Sequence, residues 1–146
     1  MEHLEFELQK KVAKYLNLVH PKILFLSDTI ANVKLTLQQQ VRNKLIQKDG
    51  FKCPDMLILR PNDKYHGLFI ELKKESPYKK DGRLKKQVVP IYKTIKGVKV
   101  KIGEYDHLKE QEKTLIELNK LGYYACFVWS YDSAINIIEN FLNNEL

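Results

Sequence analysis

Asp55, Glu71 and Lys73 are the residues of this chain whose types and spacing fit a chemical reaction. Two carboxylates brought close together repel each other, and one tends to stay protonated unless a cation lies between them. A hard divalent ion removes this conflict, and Mg²⁺ suits one or two carboxylates together with water and a substrate phosphate. Such an ion lowers the pKa of bound water and polarises a phosphoryl oxygen, while a neighbouring lysine orients the water or offsets charge on the phosphate. These are the groups needed to hydrolyse a phosphodiester.

A predicted β-hairpin would bring the three side chains together. Its strands are the apolar runs 55–60 and 68–74, separated by the turn-rich stretch 61–67. Side chains alternate along a strand, so Glu71 and Lys73 share one face. A symmetric turn places residue 57 opposite Glu71 and Asp55 opposite Lys73, with roughly 5 Å between opposed Cβ atoms. A slip of one residue would separate them.

A different interpretation of the same residues needs no chemistry. Glu71 and Lys73 would then form an ion pair on a solvated face, contributing about 0–1 kcal/mol. However, Glu71 lies inside the strongly apolar run LFIEL, where a charged group needs a compensating reason.

The remaining pattern predicts a mixed α/β fold, with a β-sheet covered by helices. Helical spacing of apolar residues predicts helices over 3–19, 34–48, 107–121 and 132–142. Apolar runs predict further strands over 22–27 and 123–129. The segment 75–105 forms either a second hairpin around Ile95-Lys96-Gly97 or a mobile arm.

Positive charge is concentrated in one segment. The chain carries a formal net charge of +7, yet residues 73–101 hold eleven basic and two acidic side chains, a net +9. This excess indicates either a polyanionic partner, whose counterions are released on binding, or a solvated lysine-rich loop.

Composition excludes several other classes. The 146 residues make up one domain of ordinary globular composition, 44% hydrophobic and 29% charged. No apolar run approaches the ~20 residues that a membrane span needs, and the start MEHLEFELQKK is unlike a secretory signal. Cys53 and Cys126 fit no metal-binding spacing, so we expect an intracellular protein with reduced thiols.

Three groups of residues near these motifs receive structural interpretations. His107 stands four residues before Gln111 and either faces the site or, as the favoured interpretation, has a capping or surface role, and Cys53 is interpreted as a small buried thiol. The tyrosines among the lysines, Tyr78, Tyr92 and Tyr105, are expected to anchor the segment, with stacking on nucleic-acid bases as the alternative.

Four features together resemble the virus-type replication-repair nuclease family (VRR-NUC) of the PD-(D/E)XK nuclease superfamily. They cover nearly the whole chain in the expected order. They are Glu5-Phe6-Glu7-Leu8-Gln9 at the start of the first helix, Cys53-Pro54-Asp55-Met56, Gly67 to Lys73, and Gln111 with the helix end at Gly122-Tyr123.

The resemblance implies a restriction-endonuclease-like core, with 75–105 as a basic insertion after the E-x-K strand. It implies Mg²⁺, or Mn²⁺ in its place, bound by Asp55, Glu71 and the carbonyl of Leu72. Lys73 would be the catalytic lysine and Gln111 the helix glutamine that faces the site. Glu5 would be the acid of the first helix, since it stands four residues before Gln9, with Glu7 as the competitor.

The implied function is a metal-dependent DNA endonuclease that acts on DNA, including branched or Holliday-junction-like DNA, as a homodimer. It would need no organic cofactor and no membrane, and it would act inside the cell, including as a virus- or phage-encoded enzyme in the host cytoplasm. The basic segment would hold the DNA backbone through Lys74, Lys79, Lys80, Arg83, Lys85 and Lys86. The alternative is a catalytically inactive nucleic-acid-binding module with the same fold.

Overall fold

A computed structural model describes residues 4–28 and 34–146. The helices are α1 (Leu4–Val19), α2 (Leu37–Ile46), α3 (His107–Lys120) and α4 (Tyr131–Leu142). The strands are β1 (Phe25–Ser27), β2 (Met56–Ile58), β3 (Leu68–Leu72), β4 (Val88–Ile95), β5 (Val98–Asp106) and β6 (Tyr124–Val128). Every predicted helix and strand is present with slightly different ends; the predicted helix start at residue 3 lies outside the described residues.

The main sheet is mixed, as predicted. Its strand order is β1-β2-β3-β6, in which β1, β2 and β3 pair antiparallel and β6 pairs parallel to β3. All five residues of β3 are buried, because β3 is an inner strand covered on both faces. This explains why residues 68–72 are almost continuously apolar rather than alternating.

Two apolar clusters hold the helices on the sheet. On one face, α1 and α4 pack through fully buried residues such as Leu16, Ile138 and Phe141. On the other face, α3 packs against Phe69 and Phe127. Each fully buried large side chain contributes roughly 1.5–3 kcal/mol. No helix in the described part of the chain is long and apolar enough to cross a membrane.

The hairpin register differs from the symmetric one. Met56 pairs with Ile70, so the next position out places Asp55 opposite Glu71 rather than opposite Lys73. The cause is the connecting loop, in which the Asn62 side chain accepts hydrogen bonds from the backbone N–H groups of residues 64 and 65 and shifts the turn centre. The shift is two residues, so every side chain keeps its predicted face.

The segment after β3 forms the predicted second hairpin, not a mobile arm along its whole length. β4 and β5 pair antiparallel from Val88↔Asp106 to Ile95↔Val98, and they form a sheet of their own. Lys96 and Gly97 have φ of 50° and 77°, the positive values that a tight two-residue turn requires.

Helix α2 has the predicted period but not a buried face. A capping box formed by Thr36 and Gln39 fixes its start. Its apolar residues Leu37, Val41 and Leu45 are 80%, 58% and 79% exposed. Period alone therefore predicted the helix correctly, although the helix buries no residue.

Candidate active site

Asp55, Glu71 and Lys73 lie together at the end of the β2–β3 pair. Asp55 precedes β2, Glu71 is near the end of β3, and Lys73 follows β3 directly. The Asp55 Oδ2 atom accepts a hydrogen bond of 2.7 Å from the backbone N–H of Leu72. Lys73 Nζ lies 3.5 Å from Glu71 Oε1, and the two residues are only 8% and 6% exposed. The ion pair is thus buried, which contradicts the interpretation as an ion pair on a solvated face.

Gln111 reaches the same site from α3. Its Nε2 donates a hydrogen bond to Glu71 Oε1, while its own Oε1 is buried and has no hydrogen-bond partner. The helix start is fixed by Asp106, whose side chain accepts from the backbone N–H of Lys109. A buried oxygen without a partner costs about 1–3 kcal/mol, so this atom is suited to a water or a ligand.

Of the two acids on α1, Glu5 is the one that lines the cleft. The Glu5 carboxylate accepts a hydrogen bond of 3.4 Å from the backbone N–H of Lys74. Glu7 instead forms an exposed ion pair with Lys10 at 2.8 Å. Geometry therefore favours Glu5 over Glu7 as the acid near Asp55.

Gln9 is a buried residue of the site and was not among the predicted site residues. Its Nε2 donates to the backbone carbonyls of Asp55 at 3.0 Å and Asp28 at 3.4 Å. It thereby joins the end of β1 to the segment that carries the first carboxylate. The sequence feature that could have identified Gln9 is its place, as a polar residue, on the same face of α1 as the apolar residues Val12 and Leu16.

Two favoured structural interpretations were wrong. His107 lines the cleft, as in the alternative interpretation, and its Nδ1 is buried without a hydrogen-bond partner. Burial, followed by the charge of Lys52, lowers the pKa of His107 and favours the neutral imidazole. Cys53 is exposed rather than buried, and it too lines the cleft.

The two carboxyl groups in the cleft have raised pKa values, because the positive charge of Lys73 does not compensate for their burial. Burial, and secondarily the charge of Asp55, raises the pKa of Glu71 to about 8 despite the opposing effect of Lys73. Burial raises the pKa of Asp55 to about 6, although the N–H of Leu72 and the charge of Lys73 oppose it. A cation between the two carboxylates would relieve both effects.

The cleft has a volume of about 710 Å³ and is lined by α1, α2, α3 and the β2–β3 pair. Within residues 4–28 and 34–146, no group of three or more His, Cys, Asp or Glu side chains is arranged to hold a metal ion. The donor set is therefore two carboxylates and neighbouring backbone or amide oxygens. Such a set fits Mg²⁺, which keeps several waters, better than an ion that needs a full protein cage.

The six predicted DNA-contacting residues lie outside the cleft wall. Lys74, Lys79 and Lys80 are exposed. Arg83 pairs with Asp81 at 2.6 Å, and Lys85 lies 3.9 Å from Glu75. The last of the six, Lys86, is also exposed.

Comparison with known proteins supports the class of fold. A solved structure described as "VRR_NUC domain protein" superposes with a TM-score of 0.56 and 18% sequence identity, over 98% of this chain and 91% of that chain. No protein-family model matches the sequence. No curated protein matches it either. The chain therefore has a VRR-NUC-like, nuclease-like fold.

Proposed function

We propose that this protein is a divalent-metal-dependent nuclease that hydrolyses phosphodiester bonds in DNA. The observation that carries the proposal is the placement of Asp55, Glu71 and Lys73 in one cleft, where both carboxyl groups have raised pKa values. Buried, crowded carboxylates that destabilise a fold are typical of a functional site.

The proposed site would hold Mg²⁺, or Mn²⁺ in its place, through Asp55, Glu71 and the carbonyl of Leu72. A bound ion of this kind would supply an acidic water and polarise a phosphoryl oxygen. Lys73, held beside Glu71, would orient the attacking water or balance charge developing on the phosphate. Gln111 would fix the Glu71 carboxylate and offer its unpartnered oxygen to a water. Glu5 would complete the shell of ordered water.

DNA is the proposed substrate because of the concentrated positive charge beyond β3. The exposed basic residues between 74 and 86 would contact phosphates without distinguishing bases. We also propose a twofold dimer and a preference for branched DNA, because such DNA presents two equivalent strands. No organic cofactor is needed for this chemistry.

The rival is a DNA-binding module with a nuclease-like fold and no activity. One observation favours it: in the described ranges, no three acidic, histidine or cysteine side chains group as a metal site. The two proposals differ in whether the cleft binds a metal ion.

Calorimetric titration with Mn²⁺ separates them. The wild type should bind, and Asp55→Ala should not. Asp63→Asn, which changes an exposed carboxylate in the same hairpin, is the matched control and should bind normally. A wild-type protein that binds no Mn²⁺ would leave the inactive module as the better account.

Cleavage assays test the chemistry itself. Labelled duplex, flap, single-stranded and four-way DNA should be cut with Mg²⁺ and left intact with EDTA. Lys73→Ala should lower cleavage by about 100-fold or more while DNA affinity changes little. Lys64→Ala, an exposed lysine in the hairpin loop, is the control. Cleavage by Lys73→Ala at the normal rate would show that the assigned mechanism is wrong.

A further inference from the structure

The β4–β5 hairpin is a two-stranded ribbon with an exposed outer half. Every residue from 91 to 102 is exposed. This stretch contains four lysines and no acidic residue. The five residues of each strand in this half span about 17 Å, the length of about five base pairs at 3.4 Å each.

The two faces of the ribbon differ in chemistry. The pairs Tyr92↔Lys101 and Thr94↔Lys99 place four polar or aromatic side chains on one face, the polar face. Lys99 Nζ lies 4.5 Å from the centre of the Tyr92 ring, which holds this lysine over the face.

The opposite face is mainly apolar. It carries Ile91, Ile95, Val98 and Val100, with Lys93 as its charged residue. The two faces are therefore not equivalent: the polar face carries two lysines and no aliphatic side chain, whereas the opposite face carries one lysine among aliphatic side chains.

The root of the ribbon, where β4 begins and β5 ends, is joined to the cleft by hydrogen bonds. The backbone N–H of His107 donates to the carbonyl of Gln87 at 2.8 Å, and the Asp106 side chain accepts from the N–H of Gln87 at 3.1 Å. Helix α3 begins at the residue after β5 and carries Gln111 into the site. Lys52 Nζ lies 4.4 Å from the Tyr105 ring centre, which ties the root to the opposite wall.

We infer that the polar face of the ribbon binds in the major groove of duplex DNA, beside the cleft. The major groove, ~12 Å wide, admits a two-stranded β-ribbon, and lysine is a donor to guanine O6 and N7. Lys99 and Lys101 stand about 6.8 Å apart on one strand, a separation of about two base-pair steps. Thr94 lies on the same face, opposite Lys99 on the other strand, and is suited to either base type.

This inference rests on the proposed function for its choice of DNA, and it adds a duplex requirement and base contacts. The residues between 74 and 86 would contact phosphates near the cleft, whereas the ribbon would contact base edges farther along the duplex. The substrate would therefore carry about five paired bases on the ribbon side of the cut.

Binding assays in EDTA test the inference without requiring cleavage. Fluorescence anisotropy would compare a duplex of about 16 base pairs with a single strand of equal length. Lys99→Gln/Lys101→Gln should weaken duplex binding about tenfold, and single-strand binding much less. The charge-matched control Lys11→Gln/Lys14→Gln changes exposed lysines of α1 and should bind as the wild type does.

A second duplex, built with 7-deazapurines, removes the N7 acceptors of the major groove and leaves the phosphates and minor groove intact. The wild type should bind it more weakly than the ordinary duplex, and Lys99→Gln/Lys101→Gln should bind both equally. Equal wild-type affinity for the two duplexes, or an equal loss in the α1 control, would overturn the inference. Loss of Mn²⁺ binding with intact ribbon-dependent duplex binding would overturn only the proposed nuclease function.

Discussion

Replacing Glu71 with glutamine should make the metal-free protein more stable at high pH. The pKa of Glu71 is raised from 4.5 to about 8, so the folded state holds a proton that the unfolded state releases. The contribution of Glu71 to the stability of the wild type is therefore greatest below pH 4.5 and falls as the pH rises toward 8. At about 1.4 kcal/mol per pH unit, the loss between pH 4.5 and pH 7 reaches about 3 kcal/mol.

Glutamine is uncharged and keeps the shape of the side chain. Its oxygen can still accept from Gln111 Nε2, and its amide can donate to the Gln111 Oε1 atom that has no partner. Removing the carboxylate also takes a partner from Lys73, 3.5 Å away. The raised pKa already includes that attraction, so the gain from removing the buried carboxylate is expected to dominate.

Urea unfolding in EDTA, followed by far-UV circular dichroism, measures this difference. The free energy of unfolding of Glu71→Gln should exceed that of the wild type by about 4 kcal/mol at pH 8 and by about zero at pH 4.5. Glu110→Gln, an exposed carboxylate of α3, is the matched control and should gain nothing at pH 8. Added Mn²⁺ should then stabilise the wild type at pH 8 and not Glu71→Gln.

The prediction is wrong if the difference in unfolding free energy between Glu71→Gln and the wild type is the same at pH 8 as at pH 4.5. A loss of stability at pH 8 would show that the ion pair with Lys73 outweighs burial. In either case the crowded-carboxylate argument for a cation would fail.

Three further changes test the supporting structure. Gln9→Leu removes two side-chain hydrogen bonds to backbone carbonyls, so it should cost about 1–3 kcal/mol in urea unfolding and slow cleavage. Gly122→Ala should lower the melting temperature, because φ is +90° there and a new Cβ would lie 2.7 Å from the His66 ring; adding His66→Ala should recover part of that loss. Glu139 accepts hydrogen bonds from a tyrosine and a histidine that lower its pKa, so Glu139→Gln should show a smaller loss of stability in pH titrations below 4.5. A variant that matches the wild type in its own measurement would contradict that prediction.

The convergence of Asp55 and Glu71 could be predicted because it depends only on strand parity. The hairpin register was wrong by two residues, yet an even shift leaves each side chain on its face. The hydrogen bonds that the Asn62 side chain accepts shift the centre of the turn. The prediction assumed a symmetric turn and did not include them. The position of Gln111 at the site was expected from the family resemblance, not from the helical period.

Other parts of the site depended on contacts between distant elements. Gln9, His107 and Cys53 reach the cleft from three different segments, and their local positions alone did not show that these segments form one cleft. The exposed apolar face of α2 shows the same limit, because period predicts a helix but does not specify what covers it. The continuous apolar run of β3 fits its burial on both faces. The sequence did not indicate which helices cover those faces.

The hydrogen bond from Leu72 to Asp55 has a consequence for ion selectivity. It occupies Oδ2, and the Glu71 Oε1 atom already faces Gln111 and Lys73. These contacts engage one oxygen of each carboxylate. In the proposed function, an ion bound through the other oxygens would receive a single oxygen from each side chain and would fill its other positions with water and phosphate. Such an arrangement would suit small octahedral Mg²⁺ better than larger Ca²⁺, which takes six to eight ligands and commonly two oxygens from one carboxylate.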